Sequence, residues 1–424
     1  MTGYIIGYDL NETYCQISFY NEEQQEPQTM ETTQDHYQIP LIIGKKDGKW
    51  LLGAEARRLF EEGLAVEDLY NKSLKREKLR LGEESYEAIW LLAKFVELSL
   101  KGFSNIEQLV FTVPHADMDI VKVLKSIGSR AGVSKQGISV QDYKESFCNY
   151  MLYQPKELWQ YEAALFHCDR HEVKAYMLRK IHAGSGKGRD AFVTVDEVAH
   201  AQMQELEMIY PVLNVDRAKD ADAAFRQFIQ GVFAKKIVSS VFLVGEGFEN
   251  EWFPQSLKVL CNGRRAFFGN NLYSKGACYT AYRRCFGKSE GPIYLDESKM
   301  MDQICLKVRT NGMDKWQPIV SWGSRWFEAD TQFEILLEDA EDIELHVESL
   351  VGNEMQVEKI SLAEFPKRKD YSLRLQVKIL FLDEKTCFIT FQDIGFGEFF
   401  RATGACVERE IHLGGNHGQY HSLS

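Results

Sequence analysis

The chain has 424 residues, 45% of them apolar and 26% charged, enough to bury two or three cores beneath a soluble surface. Its net charge of −12 and isoelectric point near 5.5 argue against general binding to nucleic acid or anionic membrane, because both reward a basic surface. The basic run KSLKREKLR, 72 to 80, reads as a solvated helix face.

The opening MTGYIIGYDL lacks the basic start and long apolar run of a signal peptide. No window holds about 18 uninterrupted apolar residues, so no membrane span is expected. The nine cysteines (15, 148, 168, 261, 278, 285, 305, 387, 406) are scattered and form no CxxC pair. They read as free thiols in a reducing, bacterial-type cytosol, with no zinc site.

In chain order, the strand IIGYDL is followed by a helix over 86–100, a strand QLVFTVP (108–114), a helix over 119–132 and a strand ending at Val140. Then come a helix from about Tyr143, a strand pair in 163–178, a strand FVTVDEV (192–198), a helix over 223–237, a strand SVFLVGE (240–246) and a helix over 274–286. Alternation of this kind predicts an α/β domain. After Gly291 the pattern becomes short strands divided by turns, FEILLED, IELHVESL, LRLQVKILFL and TCFITFQDI, with period two in LRLQVKIL. That is the pattern of a β-sandwich. The polar tail GGNHGQYHSLS, 414 to 424, is expected to be disordered.

Several segments in this order resemble the superfamily of actin, sugar kinases and the DnaK-type heat-shock chaperones, with the closest likeness to the chaperones. IIGYDLNETYCQISFY (5–20) looks like the first phosphate loop, and IPLIIGKKDGKWLLGAEAR (39–57) like the next hairpin. FTVP (111–114) with AGV (131–133) resembles the approach to the catalytic core, and VFLVGEGF (241–248) with KGACYTA (275–281) the adenosine loop and its helix. EFPKRKDYSLRLQVKILFLDEKTCFITFQDIGFGEFF (364–400) is similar to the chaperones' peptide-binding sandwich. The resemblance implies an actin-like, ribonuclease H-like core of two lobes, about 1–160 and 161–288, then a sandwich over 292–412 and a tail over 413–424. It also implies a site for ATP or ADP with magnesium.

In that family two glycine-rich hairpins bring backbone N–H groups against the phosphates, and carboxylates place the metal and water. Carried onto this chain, the resemblance marks Asp9, Asn11, Thr13, Gly245 and Gly247 for nucleotide, Asp9 for metal, and Asp9, Asp142 and Asp169 as catalytic candidates. The pattern is eroded at several of them. Asn11 stands where glycine is usual. Glu12 stands where a small hydroxyl residue is usual, and either faces solvent or repels phosphate by about 4 kcal/mol at 4 Å and an effective dielectric of 20. An ungapped match puts His167 in place of the metal-linked Asp, and Asp169, Arg170 and His171 in place of three glycines. Asp142 falls at the catalytic Glu, or else caps the helix from Tyr143 in a capping box with Glu145. Only 78 residues (245 − 167) separate His167 from Gly245, about half the family's span, so the part that closes over adenine and ribose is missing.

AGSGKG, 183 to 188, is not a P-loop: no glycine stands five residues before Gly186, and Gly188 replaces the required Ser or Thr. It reads as a connecting loop. In the C-terminal part, two of Trp316, Trp322 and Trp326 are expected to fill the core, and a turn at Asp383-Glu384-Lys385 joins two strands. No helical lid is expected after the sandwich. The expected function is a non-hydrolysing, DnaK-like binding or assembly component that holds a protein or extended peptide at the sandwich. The alternative is an active ATP-dependent chaperone-type ATPase with rebuilt loops. A third reading, an actin-like or kinase-like protein, is disfavoured by the sandwich.

Overall fold

The structure, a computed structural model, describes residues 3–32, 37–169, 172–181, 192–202, 215–287, 291–310, 312–337, 341–350, 355–367 and 373–414. It is a mixed α/β protein that divides into two compact units, Met1–Arg179 with Val195–Gly291, and Lys180–Thr194 with Pro292–Ser424. The stretch Lys180–Thr194, expected within the second lobe, thus belongs to the second unit.

The first unit repeats one topology. In one sheet the strands Tyr4–Leu10, Tyr14–Asn21, Glu26–Thr29, Ile106–Val113 and Ile138–Asp142, numbered one to five by sequence, lie in the spatial order 5-4-1-2-3. In the other, Glu162–Cys168, Glu172–Ile181, Phe192–Gln202, Val238–Val244 and Arg265–Phe268 lie in the same order. In both, strands one and two are antiparallel, while strand four is parallel to one and to five. Helices follow strands three, four and five in each: Ala88–Ser99, Met118–Arg130 and Tyr143–Leu152, then Val215–Phe233, Pro254–Leu260 and Leu272–Phe286.

The sequence dictates this locally. LVF and VFLV are unbroken apolar runs because parallel central strands are covered on both faces. Met118–Arg130 begins where Asp117 accepts the Ile120 N–H at 2.8 Å. The helix expected over 223–237 runs from Val215 to Phe233 and stops before Lys235, whose φ of 60° is left-handed.

The last helix of each half joins the two. Ala277, Cys278 and Ala281 of Leu272–Phe286 pack on Ile5 and Val110 of the first sheet. Phe147 and Tyr150 of Tyr143–Leu152 lie edge-on to Phe242 of the second. The two helices touch where Gly276 has no side chain: a Cβ there would lie 2.0 Å from the Ser146 carbonyl oxygen.

In the first half, small sheets and helices between Gln38 and Glu87 separate strand three from its helix. In the second half only residues 203–214 stand at that place.

The second unit has two antiparallel four-stranded sheets. One is ordered Met313–Val320, Asp302–Thr310, Asp342–Ser349, Met355–Ser361, and the other Thr331–Leu337, Leu373–Phe381, Thr386–Asp393, Cys406–His412. Alternate residues of both, such as Ile304, Leu306, Leu345, Val377, Ile379 and Phe391, share one core. The turn at 383–385 is closed by the Lys385 N–H on Asp383 Oδ1 at 2.8 Å.

Of the three tryptophans, only Trp326 packs against that core. Trp322 donates to the Glu348 carbonyl at 2.9 Å, and Trp316 is exposed and stacked on His346. Trp316 pairs in register with the exposed Lys307, on a strand that is exposed from Met313 to Pro318. The loop AGSGKG and the tail from 415 lie outside the described residues.

Candidate functional site

The sequence-marked residues of the first unit converge where the strand ends of its two sheets meet. Asp9 is the sixth of seven residues in strand one of the first sheet, and His167 the sixth of seven in strand one of the second. Each meets a tyrosine from the start of its half's last helix. The Tyr143 hydroxyl donates to Asp9 Oδ1 at 2.8 Å, and the Tyr273 hydroxyl shares a hydrogen bond with His167 Nδ1 at 3.2 Å. The two tyrosine rings stack on each other, 3.8 Å apart and 5° from parallel. A continuous chain Asp9–Tyr143–Tyr273–His167 therefore runs from one sheet to the other. Asp9, Tyr143 and Tyr273 are all buried.

Burial sets the electrostatics. It pushes the Asp9 carboxyl up to about 7, against a smaller lowering by the Tyr143 hydrogen bond. It pushes the His167 imidazole down to about 4, with Asp169 opposing. Near neutral pH the His167 imidazole is therefore neutral, while Asp9 is divided between its protonated and ionised forms.

The backbone donors of the first loop are already engaged. Asn11 Oδ1 accepts from the Thr13 N–H at 2.9 Å, the Tyr14 N–H at 2.9 Å and the Thr13 hydroxyl at 3.1 Å. Asn11 thus caps its own turn through two backbone N–H groups. Thr13 Oγ1 also reaches Glu246 Oε1 of the second half at 3.4 Å.

At the second hairpin Asp169 Oδ1 accepts from the Glu172 N–H at 2.9 Å, while the Asp169 N–H donates to the Glu172 carbonyl at 3.1 Å. Arg170 and His171 lie outside the described residues. Asp142 Oδ1 accepts the Glu145 N–H at 2.8 Å, the contact of a helix N-cap.

Gly245 and Gly247 are required by packing. Gly245 has φ of 105°, and a Cβ on it would lie 2.1 Å from the Cys168 carbonyl oxygen; a Cβ on Gly247 would lie 2.1 Å from Cys168 Sγ. The site thus unites Asp9, Asn11, Thr13 and Glu246 on one side and Asp9, Tyr143, Tyr273 and His167 on the other. Asp142 and Asp169 hold their own local turns.

The two tyrosines escaped the sequence reading as site residues. Their signal was positional: each opens the helix that follows a suspected nucleotide motif, in QDYKE and NLYSK.

Beside this chain a cavity of about 870 Å³ is lined by Glu12, Thr13 and Glu246 and by residues of the strands and helices between Gln38 and Asp68. Among the described residues no three His, Cys, Asp or Glu side chains come together as a metal ion requires. Among them, too, no helix is long and apolar enough to cross a membrane.

A search of the curated proteins gave no match. Residues 299–413 match a family described as a domain of unknown function, DUF8552. Residues 26–297 match the C-terminal region of a family of unknown function, DUF5716. That match covers more than half of the chain, and the chain belongs to the DUF5716 family.

Proposed function

We propose that this chain is a divergent relative of the actin and DnaK-type ATPases that no longer hydrolyses ATP and serves as a protein-binding or assembly component. In this reading the two halves of the first unit are actin-like lobes, and the second unit is a chaperone-like β-sandwich. Support for the lobes comes from the strand order 5-4-1-2-3 occurring twice, with each half's last helix bridging to the other.

The observation that carries the loss of catalysis is the chain Asp9–Tyr143–Tyr273–His167, buried at all but its histidine end. Phosphoryl transfer needs backbone donors and a metal aimed at the transferring group. Here the Asn11 side chain takes the donors of the first loop, and Asp9 faces a phenol in a dry position. The aromatic stack performs mechanically what a bound nucleotide would otherwise do, linking the two lobes without a ligand.

Protein binding is assigned to the second unit. Its outermost strands, Met313–Val320, Met355–Ser361, Thr331–Leu337 and Cys406–His412, offer backbone groups to an extended segment.

Thermal unfolding of the full chain with and without 1 mM ATP and magnesium tests the reading. A site filled at a hundredfold over its Kd would stabilise by about 2.7 kcal/mol. The expected result is no rise in Tm, and a rise of several degrees that needs magnesium contradicts the reading.

A further inference from the structure

The cavity beside the aromatic chain is not explained by the loss of nucleotide chemistry. Its volume of about 870 Å³ lies within the range of small-molecule sites. Ile39, Pro40 and Leu52, each partly exposed, supply an apolar part of the lining, while Leu41 and Ile42 beneath them are buried. The charged lining is Glu12, Glu55, Glu67, Asp68 and Glu246 against Arg57 alone.

These observations select among ligand classes. Five carboxylates against one guanidinium repel a phosphate or carboxylate ligand, so anions are disfavoured. A divalent ion is disfavoured as well, because no three of these carboxylates converge on one point as coordination requires. A ligand that satisfies both the apolar wall and separated carboxylates carries positive charges spaced along an aliphatic chain.

We infer that this cavity binds an alkylammonium ligand, its methylenes against Ile39, Pro40 and Leu52 and its ammonium groups toward Glu55, Glu67 and Glu12. The chemistry is shared by a free polyamine and by lysine side chains of a peptide. Thr13 and Glu246 approach each other across the two halves at the cavity lining, 3.4 Å apart, so an ammonium group at Glu246 would lie beside that joint. The inference rests on the reading that the cleft has given up nucleotide.

Isothermal titration of the full chain with spermidine, with a capped Lys-Leu-Lys peptide and with ATP·Mg tests it, using the wild type, Glu55→Gln/Glu67→Gln, and Glu61→Gln as an exposed control outside the lining. Binding of spermidine or of the peptide that weakens about tenfold in the double variant and holds in the control supports the inference, and the arm that binds identifies the source. Absence of both, or equal affinity in all three proteins, overturns the inference and leaves the nucleotide reading standing. Binding of ATP·Mg at the wild-type cleft overturns both.

Discussion

Replacing Asp9 by Asn should stabilise the protein at neutral pH, although it alters a residue that the family resemblance marks for metal and nucleotide. Asp9 is 2% exposed and its carboxyl is held up to about 7 by burial, against an ordinary value of 3.8. Between those values the unfolded chain has released this proton and the folded chain retains it. The folded state therefore loses stability as pH rises through that window, at about 1.4 kcal/mol per pH unit, reaching about 4 kcal/mol by pH 7.5.

Asparagine carries no charge and still accepts from the Tyr143 hydroxyl, but it brings two N–H donors into a dry place. Allowing about 2 kcal/mol for these leaves a net gain of about 2 kcal/mol at pH 7.5, or about 5 °C in Tm.

His167 runs in the opposite sense. Its folded value of about 4 lies below the ordinary 6.5, so its contribution is lost as pH falls from 6.5 to 4. In the wild type the two slopes oppose each other over that window. Asp9→Asn should uncover the histidine slope, so that stability rises with pH by about 3 kcal/mol between pH 4 and 6.5 relative to the wild-type profile. Urea unfolding at half-unit steps from pH 4 to 8 reads both effects. A variant whose difference from wild type is constant across that range, or which is less stable at pH 7.5, refutes the reasoning.

Gly276→Ala should destabilise by about 2 kcal/mol or more, because its Cβ would meet the Ser146 backbone at 2.0 Å and push apart the two bridging helices; urea unfolding measures it. Asp393→Ala should loosen the loop 394–405, whose Gly395 N–H, Thr403 N–H and Thr403 hydroxyl all bond to this buried carboxylate, and should speed proteolysis beside the exposed Phe399 at a cost of about 2 to 3 kcal/mol. Trp316→Ala, on the exposed face of its strand, should change stability by less than about 1 kcal/mol, and a larger loss in denaturant unfolding would show that its stacking on His346 matters to the second unit's core.

Most of the α/β order was legible because parallel central strands print themselves as apolar runs, as in LVF and VFLV. The edge strands were not. Met313–Val320 and Cys406–His412 are largely exposed and charged, and Arg265–Phe268 is four residues long, so none has a periodicity that outweighs loop composition. The pairing of Tyr143 with Tyr273 was hidden for a different reason. The two lie 130 residues apart (273 − 143), and each reads locally as an ordinary first-turn helix residue. What joins them is the repetition of topology, which brings the start of each half's last helix to the same place. The departures from the resembled glycine pattern, at Asn11 and at 169–171, were legible one by one. That Asn11 would take over the donors of its own turn follows from its short amide side chain.

The central claim, that the cleft between the lobes performs no phosphoryl transfer, is tested most directly by steady-state phosphate release from ATP with magnesium, comparing the pure wild type with Asp9→Ala. The account predicts turnover below about 10⁻⁴ s⁻¹ in both, without a difference between them. Turnover well above that rate in the wild type, abolished in Asp9→Ala, would contradict it.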